Sequence, residues 1–262
     1  MKTRPISKSQ LRQQRIVEKT RRVSLVSVDD LAREFGVTTQ TIRRDINLLC
    51  DANILRRRHG GAELLDAPRN TAYDLRRAMH AEAKERIGDA VARMVEDGAT
   101  VFISIGTTPA FVANALRHRR HLTVVTNNLN AALALSDISS NRIILPGGEL
   151  RLPDRDILGE AASAVFTRYR ADFGIYGVGG IDADGALLDF QETEVAAREA
   201  IRLNARQSIL VADRSKFGRL APIVGGTIHD ADHVVIDARP DPAFAELLHG
   251  VDTRLHVVEE NV

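Results

Sequence analysis

The 262 residues include a single cysteine, Cys50, so no disulfide can close within the chain and a reducing compartment is expected. No run of about 18 apolar residues occurs, and the N-terminus has no apolar segment of the kind that drives secretion. The expectation is a cytoplasmic protein with no membrane partner. A P-loop is absent too. Gly177-Val178-Gly179-Gly180-Ile181-Asp182 is rich in glycine, but no convincing helix follows it at once. It therefore misses the dinucleotide fingerprint, which argues against a nicotinamide cofactor; no cofactor is expected. Net charge is small as well, +1 overall, and by itself says little about partners.

The distribution of that charge says more. Residues 1–65 hold 14 lysines and arginines against 7 acids, a net of +7, while the rest holds 22 against 28, a net of −6. Composition is globular, 44% hydrophobic and 27% charged, and the length allows two domains. Such asymmetry fits a nucleic-acid module joined to a part with a different task.

The basic part has a recognisable order. Ser27-Val28-Asp29-Asp30 reads as a capping box opening a helix from Val28 to Phe35, and Gly36 supplies a tight turn. Thr38 can cap a second helix, in which Ile42, Ile46 and Leu49 form one apolar stripe. Thr39, Gln40, Thr41, Arg43 and Arg44 lie toward its N-terminal, polar side with Asn47, where side chains reach base edges and phosphates. After it, Ile54-Leu55 and Arg56-Arg57-Arg58-His59 lead into Gly60-Gly61, a basic hairpin suited to neutralising phosphates. Together these form a winged helix-turn-helix. An earlier helix over Ser9–Thr20 is expected to contribute Leu11, Ile16 and Val17, and Cys50 reads as a small buried residue. The domain bounds expected are 1–62 for the winged unit, 63–74 for a linker and 75–262 for a second domain.

That second domain opens on a helix over Leu75–Met94. Short apolar strands then alternate with helices: strands near Thr100–Ser104, Leu122–Thr126, Asn141–Leu145, Phe173–Val178, Ser208–Val211 and His233–Ile236, and a helix over Glu192–Leu203. The pattern predicts an α/β fold with a parallel sheet and ligands at the carboxyl ends of the strands. Gly106-Thr107-Thr108-Pro109 follows the first strand; Thr108 can cap and Pro109 suits the first helical position, so the loop reads as an anion site or, equally, as no more than a helix cap. Thr126-Asn127-Asn128, Gly147-Gly148-Glu149-Leu150-Arg151 and Asp213-Arg214-Ser215-Lys216 follow others, with amide, guanidinium and ammonium groups. A phosphorylated sugar or polyol fits these ends better than an apolar ligand. His118/His121 and His229/His233 have metal-like spacings without a thiolate companion, and solvated histidines are the better reading; no metal is expected.

Taken together, Gln40-Thr41-Ile42-Arg43-Arg44-Asp45-Ile46, His59-Gly60-Gly61-Ala62, Ile105-Gly106-Thr107-Thr108, Thr126-Asn127-Asn128, Gly147–Arg151 and Asp213–Gly218 resemble the DeoR family of bacterial transcriptional repressors over about residues 10–240. The resemblance implies a winged helix-turn-helix joined to a sensor domain of the ribose-5-phosphate isomerase fold. It implies operator DNA as a partner, a homodimer or homotetramer, and a phosphorylated sugar or polyol as inducer. Asn127-Asn128-Leu129-Asn130 and Ala171-Asp172-Phe173-Gly174-Ile175 favour glycerol-3-phosphate. The DNA-binding set is then Thr38, Thr39, Gln40, Thr41, Arg43, Arg44, Arg56, Arg57, Arg58 and His59. The effector set is Gly106, Thr107, Thr108, Thr126, Asn127, Asn128, Gly148, Arg151, Asp182, Glu194 and Lys216. Two alternatives stay open: activation in place of repression, and a sugar-phosphate isomerase using Asp182, Asp184 and Lys216, although Asp182–Gly185 reads equally well as a turn.

Overall fold

The structure is a computed structural model that describes residues 8–23, 25–51, 54–58, 60–64, 70–251 and 254–259. It divides into two compact units, one ending at Met79 and the other beginning at His80. The first unit consists of α1 (Lys8–Val23), β1 (Leu25–Ser27), α2 (Val28–Phe35), α3 (Thr39–Asp51), β2 (Leu55–Arg58), β3 (Gly61–Leu64) and α4 (Tyr73–Ala78). Ser27 caps α2 by accepting from the amides of Asp29 and Asp30, and Gly36 ends it in the left-handed conformation at φ 62°. Antiparallel pairing places β3 between β1 and β2. Ile16, Val17, Leu31, Ile42, Ile46, Leu49 and Leu55 form the core, with Met79 packed into it. Leu11, expected there, is exposed instead.

A buried carboxylate ties α1 to α3. Asp45, 2% exposed, accepts from Ser9 Oγ at 2.9 Å, Gln13 Nε2 at 3.0 Å and Arg12 Nε at 2.5 Å. Gln14 Nε2 donates to the Ala78 carbonyl at 2.6 Å, fastening α4 to α1. The continuous helix expected over Leu75–Met94 is accordingly two. Met79 belongs to the first core, and His80 takes a left-handed φ of 52° before α5 (Ala81–Met94) begins.

The second unit continues with β4 (Thr100–Ile103), α6 (Thr107–Ala115), β5 (Thr123–Thr126), α7 (Leu129–Leu135), β6 (Arg142–Ile144), β7 (Leu150–Arg151), β8 (Asp156–Ile157), α8 (Glu160–Thr167) and β9 (Ala171–Tyr176). It ends with β10 (Gly180–Ile181), β11 (Ala186–Asp189), α9 (Glu192–Asn204), β12 (Ala205–Ala212), β13 (Ile223–Thr227), β14 (His233–Ile236), α10 (Ala245–His249) and β15 (Leu255–Val257). Parallel pairing orders the main sheet β15-β14-β12-β9-β4-β5-β6. Alternate residues supply two apolar faces: Phe102, Val125, Tyr176 and Leu210 on one, Val101, Ile103, Val124, Ile175 and Val211 on the other. The expected strands and the Glu192 helix are present. Helix α8 and the antiparallel pieces β7–β8 and β10-β11-β13 are additions. Among the described residues no helix is long and apolar enough to cross a membrane.

Replacing Asp45 strands three donors, one of them charged, in a closed site. Asp45→Ala is expected to cost about 2–4 kcal/mol, read as a lowered urea midpoint of the first unit. A loss below about 0.5 kcal/mol would show that the carboxylate does not hold α1 on α3.

Candidate nucleic-acid interface and effector site

On α3 the apolar stripe is buried, and the polar N-terminal side faces outward. Thr38 Oγ1 accepts from the Thr41 amide at 3.2 Å, the expected cap, and the two hydroxyls lie 2.9 Å apart. Thr38, Gln40, Arg43 and Arg44 are exposed, while Thr39, Thr41 and Asn47 are half-buried. The wing arginines do not act as one block. Strand alternation puts Arg56 and Arg58 on one face with Glu63, with Arg56 Nε and Arg58 Nε each 2.7 Å from its carboxylate. Those hydrogen bonds, Arg58's foremost, hold Glu63 below the usual carboxylate range. Arg57 points the other way, opposite the buried Ala62, and its charge is felt by Cys50 on α3. Cys50 is half-buried, and burial pushes its thiol up. His59 lies outside the described residues.

In the second unit the chain runs outward from β4 to β5 and β6 on one side, and the later strands β9, β12, β14 and β15 fill the other. The loops after β4 and β9 therefore part at a topological switch point, where open α/β sheets place ligands. There α6 starts earlier than expected. Its cap is Gly106, at φ 102°, with no side-chain cap bond. Thr107 is thus the first helical residue, Thr108 the second and Pro109 the third, so Thr108 is not the cap. The first turn of α6 thus begins without a side-chain cap.

Asn128 explains the shift. Its Nδ2 donates to the carbonyls of Ser104 and Gly106, both at 3.1 Å, while its Oδ1 caps α7 by accepting from Asn130 N and Ala131 N. Thr126 Oγ1 donates to Ile103 O at 2.6 Å and accepts from Asn128 N at 3.0 Å. These two side chains, expected as ligand contacts, are spent on shaping the loop. Asn127 differs. Its Nδ2 donates to Ile157 O at 3.1 Å, but its Oδ1, fully buried, has no partner.

Arg151 and Glu194 come together as a salt bridge. After Gly148, the β7–β8 hairpin lies on the β5 loop through an Asn128–Asp156 bridge and an Ile157 N to Asn127 O bond of 2.9 Å. Arg151 binds Asp156 twice at 2.8 Å and Glu194 at 3.0 Å, with Asp154 at 3.6 Å. Burial opposes its charge, but Asp156's hydrogen bonds and the surrounding carboxylates outweigh burial and hold the guanidinium above its ordinary range. Arg151 is a strut between carboxylates. Glu194 also accepts from Phe190 N at 3.0 Å. Next to it, Asp189 accepts from Gly179 N at 2.8 Å and from the buried Arg198 at 3.1 Å. Burial lifts Asp189 to about 6, with Glu194 adding to it and Arg198 opposing.

Lys216 stands at the end of β12 beside Asp213. Burial would raise Asp213, but the charges of Lys84, Lys216 and His80 overcome it and hold the carboxyl at about 2. Lys84, on α5 and almost fully buried, has no counterpart in the sequence reading. Asp182 is not gathered with the others. It sits in the turn from β10 to β11, where its Oδ1 accepts from Ala183 N and Asp184 Oδ1 accepts from Ala186 N. Both carboxylates serve the turn, so the isomerase roles lose their geometry. His233 lies 3.2 Å from His256 rather than pairing with His229. Among the described residues no three potential ligands are arranged around a metal position.

A winged helix-turn-helix unit joined to a parallel α/β unit with such a switch point defines a DNA-binding regulator with a separate sensing part. Comparison gives the family: residues 12–67 match the DeoR-like helix-turn-helix domain and residues 79–238 the DeoR C terminal sensor domain, and the chain belongs to the DeoR family. It is 46% identical over 233 residues to the glycerol-3-phosphate regulon repressor of Escherichia coli (strain K12), covering 89% of this chain and 92% of that protein. It is 35% identical to the HTH-type transcriptional repressor CsqR of the same organism, covering 89% and 88%. A ribose 5-phosphate isomerase from Methanocaldococcus jannaschii superposes on 53% of this chain and 56% of its own, with a TM-score of 0.39 and 13% identity. These relatives are transcriptional repressors, so the chain is a regulator and not an enzyme.

Asp189 binds its proton more tightly folded than unfolded. Its contribution to stability is therefore full below about pH 4 and lost as pH rises through about 6. Denaturant titrations from pH 4 to 7 should show the wild type losing stability relative to Asp189→Asn across that window. A constant difference, or one moving the other way, would contradict the assignment.

Proposed function

We propose that the chain represses a glycerol or carbohydrate catabolic operon and is released from its operator by a phosphorylated polyol or sugar, with glycerol-3-phosphate favoured. Helix α3 enters the major groove, where Gln40, Thr41, Arg43 and Arg44 meet bases and phosphates, and Arg56–Arg58 hold the flanking backbone. The effector's phosphate sits at the first turn of α6 with Lys216 nearby. Its hydroxyls face Asn127. The observation that carries the ligand reading is the pairing of an uncapped α6 N-terminus with the buried, unpartnered Asn127 oxygen at one switch point. The 46% identity to a glycerol-3-phosphate regulon repressor supports both the regulated process and the choice of effector. Two copies on repeated half-sites are the simplest assembly for a winged helix reading symmetric DNA.

Two variants separate the roles. Arg43→Ala should weaken operator binding by about tenfold or more with an unchanged melting temperature; normal footprinting would remove α3 from the groove. Lys216→Ala should bind operator normally in a mobility shift yet fail to release it when glycerol-3-phosphate is added. An undiminished release would remove Lys216 from the site.

A further inference from the structure

Glu63 occupies the middle strand of the wing sheet. Cross-strand pairing puts its side chain on one face with Leu25 of β1 and with Arg56 and Arg58 of β2, and those three are exposed. Arg56 Nε donates to Glu63 Oε1, joined there by Arg56 Nη2, and Arg58 Nε lies beside Oε2. Both Nε contacts are 2.7 Å, so two guanidinium groups engage separate oxygens of one carboxylate. A backbone phosphate of DNA offers the same partner: one negative charge shared by two acceptor oxygens. The hydrogen bonds, Arg58's foremost, keep Glu63 in its charged form.

The backbone beneath these side chains is held in place. The Val28 amide donates to the Gly60 carbonyl at 2.9 Å, fastening the hairpin to the start of α2. A side chain at Gly61 would collide with the Val26 carbonyl, so β3 lies hard against β1. Contact of Arg56 or Arg58 with DNA is therefore a change of side-chain partner, from carboxylate to phosphate, and not a movement of the wing. Once deserted, Glu63 draws a cation from solution, which cancels part of the counterion release that drives binding. We propose that Glu63 competes with DNA phosphates for Arg56 and Arg58 and so limits the wing's sequence-independent hold on the duplex. The inference rests on the reading of the wing as a DNA contact and deepens it. Arg57, on the other face, stands outside this competition.

Fluorescence anisotropy on the full chain tests this, with a labelled mixed-sequence duplex of roughly 30 base pairs titrated at several salt concentrations. Glu63→Gln keeps the size and one acceptor oxygen and removes the charge. It is expected to bind about three- to tenfold more tightly than the wild type, with a log–log salt slope steeper by about 1. The gain should vanish when Arg56→Gln and Arg58→Gln are present in both proteins compared. A gain that persists there comes from net charge alone and overturns the exchange. Unchanged or weaker binding by Glu63→Gln overturns it too, while leaving DNA binding by the chain standing. If Glu63→Gln lowers the melting temperature, Glu63→Thr, which suits a strand, gives the same comparison with the same outcomes. Failure of the wild type and the variants alike to bind the duplex at low salt removes the wing from DNA, and this inference with it.

Discussion

The side chain of Asn128 spends all of its hydrogen-bonding capacity inside the fold, and the arrangement of the second unit at its switch point depends on it. Two donors hold the carbonyls of Ser104 and Gly106, and one oxygen caps α7. The loop after β4 is thereby fixed to the loop after β5, with Gly106 held as the cap of α6. Were Asn128 free, Thr108 could cap α6 in place of Gly106. The buried amide is therefore worth more than its bonds to stability: it decides where α6 begins.

Much of this was legible in the sequence, and the reason is locality. The second helix of the DNA-binding unit, its cap at Thr38 and the turn at Gly36 are set by residues within a few positions of one another, and so are the alternating strands of the sheet. What could not be read depends on partners far along the chain. The cap of α6 is decided by Asn128, 22 residues away from Gly106. Asp45 sits next to an apolar stripe and looks solvated until α1 closes over it. Lys84, Asp156, Asp189 and Arg198 show no local pattern, because their partners are set by the fold: Lys84 acts on Asp213, Asp156 binds Arg151 and Arg198 binds Asp189. The break at Met79–His80 is similar, because helix propensity runs on through it and only the claims of separate cores end the helix.

Strand alternation also redistributes the basic residues of the wing. Three consecutive arginines suggest one phosphate-binding block, yet pleating sends Arg56 and Arg58 to the face of Glu63 and Arg57 to the other. Phosphate contacts by the first two require exchange with an internal carboxylate, which lowers the net gain of each. Arg43 and Arg44 on α3 are exposed side chains near the start of the helix. In the operator reading proposed above, base readout would then fall to α3, with the wing giving a weaker, salt-sensitive hold.

The two units thus use arginine in opposite ways. An exposed guanidinium keeps a fork of donors for a partner, as on α3. A buried one must be satisfied within the fold or become costly, and Arg198 and Arg151 are closed by carboxylates and a carbonyl for that reason. Counting arginines is therefore a poor guide to effector contacts: Arg151, expected among them, is engaged by Asp156 and Glu194. The effector reading proposed above rests instead on the first turn of α6, which has no side-chain cap, and on Asn127 Oδ1, which is buried without a partner. The phosphorylated polyol proposed as effector would meet both, its phosphate at the helix start and a hydroxyl at the amide oxygen.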